Sequence, residues 1–258
     1  MTNVGDVALG RPDGTVHRVA FEPNPWVWTP WEYGPFIGRW DDPEDVYRVL
    51  YAASSPLGCF LEVLAVFRPD PAVIATNIRE DEIEDRSFAT AQPGKLDRSW
   101  LTNRCLGAAS LDGAYVDVGH SKTIAHLRPR FIKRAIELGL PDFDAEAIRM
   151  FAPRALTQEI SRFLYEAALA TGDAASGIEF GSRHGDDQQL WAVFERDADI
   201  GHEQSSLLSG CNWSQISEED PDMHEAMRLH NLEWADEQPD RAEGRTDNVA
   251  RSEDGQSS

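Results

Sequence analysis

One carboxylate stands alone in an apolar run. In "LGCFLEVLAVF", from Leu57 to Phe67, Glu62 is the only charged residue. Ser55 and Pro56 just before it supply an N-cap and a first-turn proline. The spacing therefore predicts a strand from Val49, a Ser-Pro stop, and then a helix carrying Glu62. Gly58 and Ala65, at i−4 and i+3, put small residues on the same helical face as Glu62. Two accounts compete for such a carboxylate. One is a solvated stripe on a core helix, although a solvated stripe normally carries several charges. The other is a carboxylate that faces a cleft.

Arginines give the second kind of chemistry. Arg18 lies in "VHRVAF" (Val16–Phe21), a strand with Val16, Arg18 and Ala20 on one face and His17, Val19 and Phe21 on the other. Arg39 follows Gly38 in "GRW". Either arginine alone is as well explained by structure. A pair suits a pyrophosphate, because each guanidinium fork donates two parallel hydrogen bonds to phosphate oxygens. Further on, "SRHGDD" places Ser182, Arg183 and His184 ahead of a turn, where they could also be a polar hairpin end.

Other chemistries lack their signatures. The sequence has no G-x-x-x-x-G-K-[ST] phosphate loop, no helix-opening G-x-G-x-x-G, no G-x-S-x-G and no H-E-x-x-H. His120 and His126 are six residues apart, which is not a recurrent ligand spacing, so no metal is expected. Cys59, Cys105 and Cys211 form neither a disulfide framework nor a zinc pattern. The net charge of −21, from 45 acidic and 24 basic residues, argues against nucleic acid and anionic membranes as partners. It leaves room for a small anion held by local arginines. The start of the chain carries no basic segment followed by an apolar run, and no stretch approaches membrane-span length. A soluble cytoplasmic protein is the expectation.

These residues must be positioned by a mixed set of elements. Residues 1–40 are rich in Pro, Gly and Trp and predict short strands and loops. In the middle, "AVIATNI" reads as a strand and "SWLTNRCLGAASL" as a helix. "RPRFIKRAIELGL" and "RALTQEISRFLYEAALATG" show helical periodicity, the second running to a stop at Gly172. "SGIEFGSRHGDDQQLWAVFE" alternates as a hairpin. From Ser214 the composition changes to 13 acidic residues against four arginines, net −9. "MHEAMRLHNLEWA" predicts one amphipathic helix there, with Met223, Met227, His230 and Trp234 on its stripe. The residues from about Gln238 onward should be disordered.

The ordered blocks "HRVAF", "GRWDDPEDVYRVLYAASSPLGCFLEVLA" and "PRALTQEISRFLYEAALATGDAASGIEFGSRHGDDQQLWAVFE" resemble the RES domain family, named for its Arg, Glu and Ser. The resemblance runs from roughly Val16 to Glu195. It implies an α+β fold like that of ADP-ribosyltransferase toxins, with small mixed β-sheets flanked by helices around an NAD cleft. The domain would span 1–213 with its core at about 16–195, and 214–258 would be an acidic tail. On the same resemblance, Arg18, Arg39, Tyr51, Glu62 and Ser182 occupy the family's site positions. The N-terminal Trp/Pro segment, the middle region, about 70–155, and the acidic tail exceed a minimal member.

The resemblance implies a toxin of a type II toxin–antitoxin pair that consumes NAD+ as substrate, with no resident cofactor. The partners it implies are a cognate antitoxin and a second copy of the chain. Cleaving the nicotinamide–ribose bond builds positive charge on the ribose, as in glycoside cleavage. Glu62 would stabilise that charge, and Tyr51 would wall the nicotinamide. Arg18 and Arg39 would bind the pyrophosphate. Ser182 would bond a phosphate or a ribose, with His184 or Arg183 assisting. Water, phosphate or a protein side chain could each be the acceptor. The last would make the chain a mono-ADP-ribosyltransferase, and a non-catalytic NAD-binding module is the third reading.

Overall fold

The computed structural model describes residues 4–69, 93–150 and 153–235. Its strands are β1 (Leu9–Gly10), β2 (Thr15–Phe21), β3 (Val49–Ala53), β4 (Lys95–Leu96) and β5 (Arg104–Leu111), followed by β6 (Tyr115–Asp117), β7 (Gly177–Ser182), β8 (Gly185–Phe194), β9 (Leu208–Gln215) and β10 (Glu233–Trp234). The helices are α1 (Pro56–Leu64), α2 (Ser121–Glu137), α3 (Ala145–Arg149), α4 (Arg154–Glu166) and α5 (Pro221–His230). Eight strands form one sheet in the order β1-β6-β7-β8-β3-β2-β5-β9, and β4 pairs with β10. Within the large sheet only β6 and β7 run parallel. This is an α+β fold with a mixed sheet flanked by helices, and one large sheet carries what several small ones were expected to carry.

Period-two alternation gives the sheet two buried faces. On β3 and β8, Leu50, Ala52, Trp191 and Val193 join Trp26 and Trp28 in one core. Ala53, Leu190, Ala192 and Phe194 join the helices in the other, with Phe60, Leu64, Ile160 and Met223. The proline- and tryptophan-rich N-terminal segment thus covers the face that the helices leave open.

Local chemistry sets α1 as expected. Ser55 is extended and its Oγ accepts from the Gly58 amide at 3.0 Å, with Pro56 in the first turn. Gly58 serves packing rather than cleft-lining. A methyl there would press on Gln188, Ala53 and Ser55, so the glycine lets α1 lie close to β3 and β8. His120 is the N-cap of α2 and accepts from the Lys122 amide through Nδ1 at 3.1 Å.

Three expectations about single elements change. "SWLTNRCLGAASL" makes a 3-10 turn (Arg98–Leu101) and then β5, not a helix. Asn103, at φ 64°, breaks the turn, and β5 is hydrogen-bonded on both sides by β2 and β9. That pairing overrides the helix propensity of its small residues. α4 stops at Glu166 because Ala167 turns extended. Arg196 takes the Tyr165 carbonyl at 2.8 Å. Gly172, at φ 88°, closes a later turn instead. Trp234 lies in β10, since Asn231 in the left-handed region ends α5.

The boundary drawn at 213/214 falls inside β9, and α5 packs on α1, so packing continues past the change in composition. The strand expected in "AVIATNI" and the disorder expected from Gln238 lie outside the described residues.

Gly177 in β7 sits against the Ala192 carbonyl of β8, where an added methyl would collide with backbone. Gly177→Ala should cost about 1–3 kcal/mol. Urea denaturation should show a lower midpoint with an unchanged slope.

Candidate active site

β2 and β3 are sheet neighbours but pair only at His17 and Ala53. Beyond that point they splay, and a cavity of about 490 Å³ opens. This lies in the usual range for a small-molecule site. Arg18 spans the gap, its Nε donating to the Pro25 carbonyl at 2.7 Å and its Nη1 to the Tyr51 carbonyl at 2.8 Å. It satisfies a β3 carbonyl that a fully paired β2 would have taken. Arg18 is therefore wall as well as ligand candidate.

The second wall is the 37–42 loop, and one face of α4 holds it. Arg154 Nη1 donates to the Ile37 carbonyl. Gln158 donates to the Gly38 carbonyl at 3.2 Å and Ser161 to the Trp40 carbonyl at 2.5 Å. Arg162 pairs with the buried Asp42 at 3.0 Å. Positions 154, 158, 161 and 162 share a face because the helix repeats every 3.6 residues. Tyr51 secures the same loop from β3. Its hydroxyl donates to Asp41 at 2.9 Å and accepts from the Trp40 amide at 2.9 Å. Asp41 also accepts from the Gly38 amide at 2.6 Å. Arg39, at the loop's centre, donates to the Arg149 carbonyl and lies 5.8 Å from the Phe180 ring centroid. Burial pulls its pKa below the ordinary value, against an upward pull from Glu62.

Glu62 of α1 is half-buried and lines the cavity. Ser182, at the end of β7 and buried, donates to Glu62 Oε1 at 2.6 Å. Ser182 Oγ accepts in turn from the His184 amide at 2.9 Å.

The described lining holds five arginines, Arg18, Arg39, Arg104, Arg154 and Arg183, and one carboxylate, Glu62. A chain of net charge −21 thus keeps a positive cleft. Tyr51, Phe180, Phe21, Phe67 and Trp100 supply aromatic surface. The guanidinium of Arg104, the first residue of β5, lies 4.3 Å from the Phe21 ring centroid and 4.8 Å from that of Trp100. Cys59 also lines the cavity, but burial pushes its thiol up to about 12, so it is not a thiolate nucleophile at neutral pH.

Of the expected site residues, Arg18, Arg39, Tyr51 and Glu62 converge on the cavity, and Arg183 joins them. Ser182 and His184 do not line it. Ser182 donates to Glu62, and with His184 it lines a second, open pocket that shares Arg183 with the first. The His184 ring faces His230 of α5, with centroids 5.0 Å apart. Sequence reasoning missed Arg154, Asp41 and Arg104. Arg154 opens a periodic helical segment with no local mark of function, and Arg104 lies in a run that reads as helical. Among the described residues no cluster could hold a metal, and no helix is long and apolar enough to cross a membrane.

Fold and site together define an α+β protein with an arginine-lined cleft around one held carboxylate. The chain matches the RES domain family over residues 15–214 and belongs to that family. No curated protein matches it. Among solved structures it is similar to a crystal structure of the M. tuberculosis MbcT–MbcA toxin–antitoxin complex, at 13% identity and a TM-score of 0.46, covering 88% of this chain and 92% of that one.

Burial, then Arg183, His230 and other cations, lower the His184 pKa from 6.5 to about 3. A histidine depressed on folding contributes stability above its unfolded pKa and loses it as pH falls toward the folded value. The His184 ring signals should therefore stay in their neutral position from pH 7 to pH 4 by NMR. His184→Phe should flatten part of the loss of folding stability below pH 6.5.

Proposed function

We propose that this protein cleaves the nicotinamide–ribose bond of NAD+, with water or phosphate as acceptor. The observation that carries the reading is a single carboxylate, Glu62, held by Ser182 in a cleft lined by five arginines. A dinucleotide brings a pyrophosphate that guanidinium forks recognise, and Arg39 with Arg18 is the pair assigned to it. Cleavage makes the ribose oxocarbenium-like, and a carboxylate fixed beside it stabilises that charge without reorganising. Ser182 supplies the fixing. Nicotinamide leaves as a neutral molecule, so a strong general acid is not needed, which suits the one carboxylate among the described lining residues. The Tyr51 ring is assigned to the nicotinamide. Water as acceptor yields ADP-ribose and a proton; phosphate yields ADP-ribose 1″-phosphate.

Membership of the RES family extends the proposal to a toxin kept in check by a cognate antitoxin. Growth arrest on expression of the wild type, absent with Glu62→Gln, is the result expected in cells.

Nicotinamide release from NAD+ by purified protein, with and without phosphate, tests the reaction. Glu62→Gln should slow release by about 10²-fold or more. Arg39→Ala should raise KM by about tenfold, the worth of a hydrogen bond to a charged group. Equal release by wild type and Glu62→Gln would overturn the reading. Label from NAD+ appearing on a protein band would move the acceptor to a protein. Tight binding without turnover would leave a binding module.

A further inference from the structure

α5 lies beyond the 15–214 span of the RES match, yet it packs on the helix that carries Glu62. Its buried stripe is Met223, Ala226, Met227 and His230. His230, the last residue of the helix, is 5% exposed, a level at which its ring nitrogens need partners. Nε2 lies 2.8 Å from the Leu61 carbonyl oxygen. A carbonyl oxygen only accepts, so Nε2 is the donor. Leu61 is the residue before Glu62. On its other side the His230 ring meets that of His184 edge-on, with centroids 5.0 Å apart. The His184 amide donates to Ser182 Oγ, and Ser182 donates to Glu62.

His230 therefore touches both supports of the carboxylate. One is the turn of α1 that bears Glu62, and the other is the hairpin turn that presents Ser182. We infer that His230 is a positioning residue, joining these two turns so that Ser182 and Glu62 stay in hydrogen-bond register. The sheet already joins the start of α1 to the β8 arm of the hairpin, where the Ser54 amide donates to the Gln189 carbonyl and Ser55 Oγ to Gln188 Oε1, and His230 adds a second tie at the far end, beside Glu62 and Ser182. The Nε2 donor is the element that matters most, since it fixes the backbone beside Glu62. The ring keeps the His184 turn from drifting away.

The kinetic arm of the test rests on the NAD+ reading; a second arm does not. His230→Phe keeps the ring and its packing volume and loses the donor. His230→Gln keeps a donor near the Nε2 position and loses the ring. For His230→Phe, kcat for nicotinamide release should fall about tenfold with KM within about twofold of wild type, as expected when a catalytic group is misplaced and binding is intact. His230→Gln should keep most of the wild-type kcat. Wild-type kcat in His230→Phe, or an equal loss in both variants, overturns the inference. The second arm is hydrogen exchange at the His184 amide, which should quicken about tenfold or more in His230→Phe as the Ser182 acceptor loosens. If wild-type protein releases no nicotinamide, the NAD+ reading falls and exchange decides. Unchanged His184 protection in His230→Phe then overturns the positioning role.

Discussion

The site depends on one hydrogen bond, the 2.6 Å donation from Ser182 to Glu62 across 120 residues of sequence. An ionised carboxylate is acceptor-only, and a hydroxyl has one proton to give. Spending that proton on Glu62 fixes where the negative charge sits and prevents Ser182 from donating to anything else. The rest of the architecture serves the pair. The Ser55 cap starts α1 at the right residue, and Gly58 lets that helix lie close to the sheet. The β7–β8 hairpin ends with Ser182, and the His184 amide fills the acceptor side of the same hydroxyl.

Charge sets the second constraint. An acidic chain repels an anionic ligand over long range, so the cleft must reverse the field locally. Among the described lining residues, five guanidiniums stand around one carboxylate. They would repel one another if left unheld, and the structure spreads them over separate anchors. Arg18 binds two backbone carbonyls, Arg39 one, Arg154 the Ile37 carbonyl and Arg104 the Trp100 carbonyl. Each of these carbonyls orients a guanidinium at the cleft wall. An anion entering the cleft meets charges already oriented, so little side-chain entropy is lost on binding.

Much of this was legible from residue types and order. Ser55-Pro56 read correctly as a helix start, and a lone carboxylate in an apolar helix did mark a cleft. The α+β class and the family followed from ordered blocks. What stayed hidden was whatever depends on long-range pairing. β5 looks helical because Cys105 to Leu111 is a run of small residues, and only its pairing with β2 and β9 makes it a strand. Arg154 has no local mark that separates it from any arginine opening a helix. Its role appears only when α4 meets the 37–42 loop. The sequence leads one to expect Ser182 at the site, but that its hydroxyl donates to Glu62 is a matter of direction that spacing does not answer.

The acidic segment after Ser214 shows why composition is a poor guide to where a domain stops. In α5 the charged Asp222, Glu225 and Arg228 keep access to solvent, while Met223, Ala226, Met227 and His230 are buried. A helix of ten residues is marginal alone and gains its stability from such a face. The same face delivers His230 to the Leu61 carbonyl, so the energy that folds the segment is inseparable from the contact it makes beside Glu62. Among the described lining residues Glu62 is the one carboxylate, so none of the others can take over if it drifts. An added helix that stiffens its turn therefore acts where the site has least redundancy.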